Sequence, residues 1–209
     1  MIPARRDNYR IQAEQAKRRF LTYDQAQLIR KCKLDSDGDY IYVNFLCRLY
    51  RIHRRTADIA WQDGSLWRDG NSYNEVMTLL DLLCDSRDDR HPAGTWQSME
   101  SFGRTFHRSL LEKQDPFAEG IQAQPEAFRS ACEGMGGSPI DRCDMGYRFS
   151  LFDTLPVGLQ FWFGDGEFFP RVRWLWDANA GQYLRYETMY FAVALIEKRI
   201  TEGMAVQAE

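Results

Sequence analysis

Two aromatic runs on either side of a glycine-rich turn constrain the fold of this chain more than any other feature. Residues 157–163 and 168–176 are rich in Phe, Trp and Val, and Gly164-Asp165-Gly166 lies between them. Glycine permits the positive φ that a tight turn needs, so the pattern predicts two paired antiparallel strands. Apolar residues then recur at helical spacing: Tyr186, Met189, Val193, Ile196 and Ile200. The span Met145 to Ile200 therefore predicts an aromatic β-hairpin followed by a long amphipathic helix.

The start of the chain predicts a helical brace over residues 1–33. One helix is predicted over residues 8–20, where aromatic and alanine residues share a face. A second is predicted from residue 22 to about residue 31. Thr22 and Gln25 have the spacing of a capping box, in which a hydroxyl and a longer polar side chain satisfy the first N–H groups of a helix.

A small antiparallel meander is predicted after the brace. Strands are expected at residues 40–47, 49–52 and 56–61, which alternate and contain many β-branched and aromatic side chains. Ser72 and Glu75 form another capping box, and apolar residues recur at helical spacing behind them. The meander is therefore expected to end before a well-defined helix.

Further helices are expected in the middle of the chain. One is predicted over about residues 103–113, and another begins at Pro125 and ends at Gly136-Gly137. Strands and helices cluster instead of alternating, which favours an α+β fold with one antiparallel sheet of about five to seven short strands. We expect a single domain over residues 1–209, with a frayed tail at 203–209.

Composition narrows the classes of partner. The 209 residues include 27 Lys and Arg against 30 Asp and Glu, for a net charge of −3. This balance gives no global attraction for nucleic acid, so we expect no nucleic-acid partner. No apolar run approaches the ~20 residues that span a bilayer, and no secretory signal is visible. The expected location is the cytoplasm, away from a membrane.

Metal-binding residues are sparse and poorly spaced. The five cysteines include no Cys-x-x-Cys pair, and no two of the three histidines have the i, i+4 spacing of a helical metal site. We therefore expect free thiols, no metal site and no cofactor. The cysteines and histidines of the chain are Cys32, Cys47, Cys84, Cys132, Cys143, His53, His91 and His107.

Acidic residues are the candidates for catalysis. Asp165 and Glu167 lie at the turn, Asp177 ends the returning strand, and Glu187 begins the last helix. An extended strand would separate Glu167 from Asp177 by about 30 Å. Asp177 and Glu187 could form a carboxylate pair, with Glu167 as a weaker candidate. Alternatively, Asp177 caps a loop and Glu187 complements the helix dipole.

Aromatic residues are the candidates for ligand binding: Trp162, Phe168 and Trp176, together with Trp96. Neighbouring rings on a strand point to opposite faces, so the second face of the hairpin must meet a helix layer, a partner chain or a ligand.

A basic cluster lies in the predicted meander. It could bind an anion or a single-stranded nucleic acid, or it could form a solvated face. Its members, with two interleaved rings, are Arg48, Arg51, His53, Arg54, Arg55, Tyr50 and Trp61.

One string of residues carries a family resemblance. It comprises Leu155-Pro156, Phe161-Trp162-Phe163-Gly164-Asp165-Gly166-Glu167-Phe168-Phe169-Pro170, Leu175-Trp176-Asp177, Tyr183-Leu184 and Glu187, with Gly94-Thr95-Trp96 and Gly136-Gly137 earlier in the chain. The string resembles the family of domain of unknown function 3786 over roughly residues 25–200. The resemblance implies a setting in anaerobic bacteria and archaea but names no reaction. Some relatives carry a cysteine-rich iron–sulfur domain, which these residues do not include, so no electron-transfer role is carried over.

Three hypotheses for function remain. The sequence has no nucleophile elbow, phosphate-binding loop or dinucleotide fingerprint, which favours a non-enzymatic accessory protein that binds a small ligand or a protein. The resemblance places that role in anaerobic metabolism. The first alternative is a hydrolase that uses Asp177, Glu187 and Glu167. The second is a structural or assembly module that forms a homodimer through its sheet.

Overall fold

The computed structural model describes residues 4–103, 115–165 and 167–206, except for the side chains of residues 4–7 and 100. The chain divides into two compact units. Unit 1 comprises Met1–Arg90 and Gln182–Ala192, and unit 2 comprises His91–Gly181 and Val193–Glu209. Each unit has its own five-stranded antiparallel sheet and helices, which confirms the α+β class. The single domain expected over residues 1–209 stays a prediction.

Three helices belong to unit 1: α1 (Ala4–Leu21), α2 (Gln25–Cys32) and α3 (Tyr73–Asp85). The predicted cap of α3 is confirmed, because the Ser72 hydroxyl accepts the Glu75 N–H and donates to the Glu75 carboxylate. The predicted cap of α2 is wrong. Asp24 caps this helix by accepting the N–H groups of residues 26 and 27, while the Thr22 hydroxyl donates back to the carbonyl of Arg19.

The sheet of unit 1 is the predicted meander, with two more strands than expected. Strands β1 (Asp35–Ser36), β2 (Tyr40–Phe45), β3 (Arg48–His53), β4 (Ile59–Asp63) and β5 (Leu66–Asp69) pair in chain order. Alternation buries one face of the central strands, where Ile41, Val43, Tyr50, Ile52 and Ile59 lie. That face forms the core of unit 1.

The sheet of unit 2 contains β6 (Trp96–Ser98), β7 (Ser138–Pro139), β8 (Met145–Phe152), β9 (Leu155–Trp162) and β10 (Arg171–Asp177). All of its pairings are antiparallel, and the order is β6-β10-β9-β8-β7. The described residues thus contain ten strands, where about five to seven were predicted. The excess consists of two- to four-residue strands, which are too short to show a period in the sequence.

Helices α4 (Pro116–Ala123) and α5 (Pro125–Gly134) lie in unit 2, and short 3-10 turns occupy Met99–Phe102 and Ala180–Gln182. The long helix α6 (Tyr186–Val206) begins in unit 1 and continues in unit 2. It extends past residue 203, where fraying was expected, and residues 207–209 are outside the described residues. The helix predicted over about 103–113 falls almost entirely outside them, as does His107.

One face of the unit 2 sheet forms an aromatic core with α5. The Phe128 ring lies 5.6 Å from that of Tyr147 and 6.3 Å from that of Phe161. Trp176 is fully buried. The opposite face carries the alternate residues of the same strands and forms the candidate site. No helix among the described residues is both long and apolar enough to cross a membrane.

Candidate functional site

A groove with a volume of about 530 Å³ lies on the second face of the unit 2 sheet. Three strands and one loop form it. The strands β6, β9 and β10 contribute two residues each, and the loop after β7 contributes residues 140–142. The strand residues are Trp96, Ser98, Gln160, Trp162, Arg173 and Leu175.

Strand register brings these side chains to one face. Arg173 lies opposite Gln160, and Leu175 lies opposite both Gly158 and Ser98. Directly paired residues of antiparallel strands share a face, and residues two apart on a strand do so too. Trp162, two residues after Gln160, therefore lies on the same face.

Two glycines let the walls of the groove approach the sheet. A Cβ atom on Gly158 would lie 3.3 Å from the Leu175 Cβ atom and 3.6 Å from the Trp96 ring. A Cβ atom on Gly146 would lie 2.5 Å from the Cys143 sulfur, which is closer than real Cβ contacts allow. The Trp96 indole and the loop that contains Cys143 thus occupy space that side chains at these positions would take.

The most informative residue of the groove is Gln160. Its side chain lines the groove and is only 9% exposed. Its side-chain amide forms no hydrogen bond with any part of the chain that the structure describes. Neither amide atom is among the fully buried polar atoms of the described residues that lack a partner, so the amide faces the space of the groove. An amide can donate two hydrogen bonds and accept two, and a polar group of a ligand in the groove could use that capacity in place of water.

Four arginine residues lie in or beside the groove. Arg142 and Arg173 line it, and Asp141 is the one acidic residue among the described lining residues. Arg148 pairs with Gly158 and Arg171 pairs with Trp162, so register places both on the same face of the sheet. Within the described ranges, none of these four arginines forms a salt bridge. The Arg171 guanidinium lies 6.0 Å from the centre of the Trp162 ring.

The candidate catalytic residue Asp177 accepts hydrogen bonds from the backbone of two loops, one before β6 and one after β10. It is 1% exposed, and its Oδ1 atom accepts the N–H groups of Ala93 and Asn179 at 2.8 Å. Its Oδ2 atom accepts the N–H group of Gly94, also at 2.8 Å. These contacts match the loop-capping role that the sequence left open as an alternative to catalysis.

The other candidate carboxylates are exposed. Glu187 lies in the first turn of α6 within unit 1. Glu167 lies in the β9–β10 loop, where its N–H group and that of Phe168 donate to Asp165. These backbone hydrogen bonds, with that from Phe168 the larger cause, lower the pKa of Asp165. Neither Glu167 nor Asp177 lines the groove.

Two of the four aromatic residues predicted to bind a ligand line the groove, and two do not. Trp96 and Trp162 line the groove. Trp176 is fully buried on the core face, where alternation from Leu175 directs it, and its indole N–H has no hydrogen-bond acceptor among the described residues. Phe168 is 68% exposed in the β9–β10 loop and does not line the groove.

Most of the basic cluster of unit 1 is engaged in local contacts. The Arg51 guanidinium lies 4.4 Å from the Tyr40 ring centre and 4.2 Å from that of Trp67. The Arg48 guanidinium lies 3.8 Å from the Trp61 ring centre. Arg54 donates to a Gln25 side chain and a backbone carbonyl, and Arg55 pairs with Asp39. These contacts favour a structural role for the cluster.

Unit 1 also contains a polar network that no sequence pattern indicates. Asp81 accepts a hydrogen bond from Thr188 at 2.7 Å and lies 3.1 Å from Arg19, which also pairs with Asp85. Burial raises the pKa of Asp81, opposed by the hydrogen bond and the nearby guanidinium. Arg185 also pairs with Asp85, with its Nε atom 3.0 Å from the Oδ2 atom. The spacing of these residues along the chain hides the network from any local pattern.

All five cysteines are free. Cys32, Cys84 and Cys132 are buried, Cys143 is half-buried and Cys47 is exposed. Burial raises the pKa of Cys84 to about 11, and burial also raises the pKa of Cys132 and Cys143. A thiol with a raised pKa is a poor nucleophile at neutral pH. Across the described residues, no group of three or more His, Cys, Asp or Glu side chains could hold a metal ion.

Comparison with known proteins identifies a family whose description states no function. The family model described as "Domain of unknown function (DUF3786)" matches residues 24–199, close to the range that the resemblance covered. Searches of curated proteins and of solved structures find no match. Since the match extends over most of its length, the chain belongs to the DUF3786 family of domains of unknown function.

Proposed function

We propose that this chain is a non-enzymatic protein that binds a small organic ligand in the groove of unit 2. The observation that carries the proposal is Gln160, a mostly buried side chain whose amide faces the groove and has no hydrogen-bond partner among the described residues. An amide held in that position can bond directly to a ligand that enters, because no described group of the chain competes for it.

The size and chemistry of the groove support a small ligand. Its volume of about 530 Å³ is typical of small-molecule sites, which combine apolar walls with a few convergent polar groups. Trp96, Trp162 and Leu175 supply the apolar surface. Ser98 and Gln160 supply polar groups that can orient a ligand.

Binding without catalysis is the simpler interpretation of the residues that line the groove. The described lining residues contain no His or Cys, and their one carboxylate belongs to the exposed Asp141. The three candidate catalytic carboxylates lie elsewhere, and Asp177 is occupied by backbone N–H groups. No comparable observation favours the hydrolase or the homodimeric module.

The cytoplasm is the proposed location. Five free cysteines suit a reducing compartment, where thiols stay unpaired. The accessory role in anaerobic metabolism, which the family resemblance implies, is part of the same proposal.

A thermal-shift screen with calorimetric follow-up tests the proposal. The purified chain is screened against small aromatic and heteroaromatic compounds, both neutral and charged, and dissociation constants are measured for those that raise the melting temperature. Gln160→Leu keeps the size of the side chain and removes its amide. We expect this variant to weaken ligand binding by about tenfold, because a hydrogen-bonded ligand group then faces an apolar side chain.

Gln97→Leu is the matched control. Gln97 is exposed and lies on β6 between Trp96 and Ser98, so it points to the other face of the same sheet. This variant should bind as tightly as the wild type. Ligands that bind Gln160→Leu and the wild type equally, or a screen with no binder, would refute the proposal.

A further inference from the structure

We infer that the ligand of the groove is a small anion with a flat unsaturated body, such as an aryl or heteroaryl carboxylate or phosphate. This inference rests on the proposed function, since it names the chemistry of the molecule that the same groove would hold.

The first argument is unbalanced charge. Arg142 and Arg173 line the groove against a single described acid, Asp141, and Arg148 and Arg171 extend the positive face of the sheet. No salt bridge to the described residues neutralises any of the four. Elsewhere in the chain arginines do have acidic partners, as Arg19 has in Asp85.

The positive face is local and does not follow from composition. The whole chain has a net charge of −3, which would repel an anion at long range. Unpaired guanidinium groups beside a groove provide planar sets of donors that match carboxylate and phosphate oxygens. An anion is therefore the ligand class that complements this part of the surface.

The second argument concerns the body of the ligand. Trp96 and Trp162 place two indole rings in the groove, and aromatic faces stack on flat unsaturated groups. Gln160 lies two residues before Trp162 on the same strand, and its amide offers a donor and an acceptor. That pair suits a ring nitrogen, a carbonyl or an amide at the edge of a flat molecule.

Paired probes that differ only in charge test the inference. We would measure dissociation constants by calorimetry for adenosine 5′-monophosphate against adenosine, and for indole-3-acetate against indole-3-ethanol. At low ionic strength, we expect the anionic member of at least one pair to bind about tenfold or more tightly than its neutral partner. Preference within the first pair would identify phosphate, and preference within the second would identify carboxylate.

The double variant Arg142→Gln with Arg173→Gln should remove most of that preference, while Arg129→Gln should keep it. Arg129 is an exposed residue of α5 in the same unit, where it pairs with Glu126, so it controls for the loss of a positive charge. Weakening of anion binding by added salt in the wild type, and much less in the double variant, would support the inference further.

Three outcomes would overturn the inference. They are equal binding of the charged and neutral members, a charge preference that survives the double variant, and no binding by either pair. In the first two, loss of binding in Gln160→Leu would leave the proposed function intact. If neither pair binds, the thermal-shift screen described above decides separately whether the proposed function holds.

Discussion

Replacing Glu197 with glutamine should make the stability of this protein less sensitive to pH. Glu197 lies on α6 in unit 2, and the Trp174 indole N–H donates to its Oε1 atom at 3.1 Å. Burial raises the pKa of Glu197 from 4.5 to about 7, the hydrogen bond from Trp174 opposes this, and the nearby Asp115 carboxylate adds to it. The folded chain therefore binds this proton more tightly than the unfolded chain does.

The sign and size of the effect follow from that difference. Well below pH 4.5 the group is protonated in both states and costs nothing. As the pH rises from 4.5 to about 7, only the unfolded chain ionises this group, so the folded state loses stability; above that the loss stays constant. A rise in pKa from 4.5 to about 7 corresponds to about 3 kcal/mol once both states are ionised. Glutamine stays neutral and can still accept the hydrogen bond from Trp174, so the variant avoids this loss.

Urea unfolding at two pH values measures the effect. We expect Glu197→Gln to exceed the wild type in unfolding free energy by about 3 kcal/mol at pH ~8, and by under ~1 kcal/mol at pH ~5. Glu202→Gln is the control, because Glu202 is exposed on the same helix and pairs with Lys198 at 3.7 Å. It should change stability by less than ~0.5 kcal/mol at either pH. The same offset at both pH values for Glu197→Gln would refute the reasoning.

Four further substitutions test the packing in unit 2 and the cap of α2. Asp177→Asn should lower the unfolding free energy by about 2–4 kcal/mol, because a neutral amide replaces a buried carboxylate that accepts three backbone N–H groups; urea unfolding measures it. Gly146→Ala should cost about 1–3 kcal/mol, because its new methyl group meets the Cys143 sulfur; a melting temperature equal to the wild type would contradict this. Asp24→Ala should cost about 1 kcal/mol, and Thr22→Ala should cost less, since only Asp24 caps α2; the reverse order would contradict the observed cap.

Helix ends were predictable where the competing side chain is used elsewhere. Asn71 directly precedes Ser72, but its amide bonds to the Ile59 backbone, so Ser72 caps α3 as predicted. The Glu75 carboxylate accepts the Ser72 hydroxyl and not, as in a full capping box, the Ser72 N–H. Thr22 and Asp24 are two residues apart, and the sequence alone favoured the wrong one. The carboxylate of Asp24 accepts two N–H bonds, whereas the Thr22 hydroxyl is used at the end of α1.

The turn of the aromatic hairpin shows a second limit of local patterns. The strand predicted from residue 168 begins at Arg171, because Asp165 accepts the N–H groups of residues 167 and 168 and so holds a wider loop. Phe168 and Phe169 consequently lie in the loop, where both are exposed. Strand alternation predicts that neighbouring aromatic side chains point to opposite faces of the sheet. That rule applies only to residues within the strand, so the position at which β10 begins decides which rings belong to a sheet face.

The groove depends on contacts between distant parts of the chain. Gln160 was overlooked, although a lone amide in the otherwise apolar strand β9 is a signal that could have identified it. Arg171 and Arg173, two apart on β10, were a second such signal. Trp96 joins them only through the pairing of β6 with β10, which no pattern near residue 96 reveals.

A crystal structure of the protein soaked with small aromatic acids and amides tests the central claim most directly. The account predicts that these molecules collect in the groove, with a polar atom within hydrogen-bonding distance of the Gln160 amide and the body against Trp96 or Trp162. Crystals of Gln160→Leu under the same soak should show markedly lower occupancy there. A groove that holds only water throughout the soaks, or molecules bound without contact to Gln160, would contradict the account.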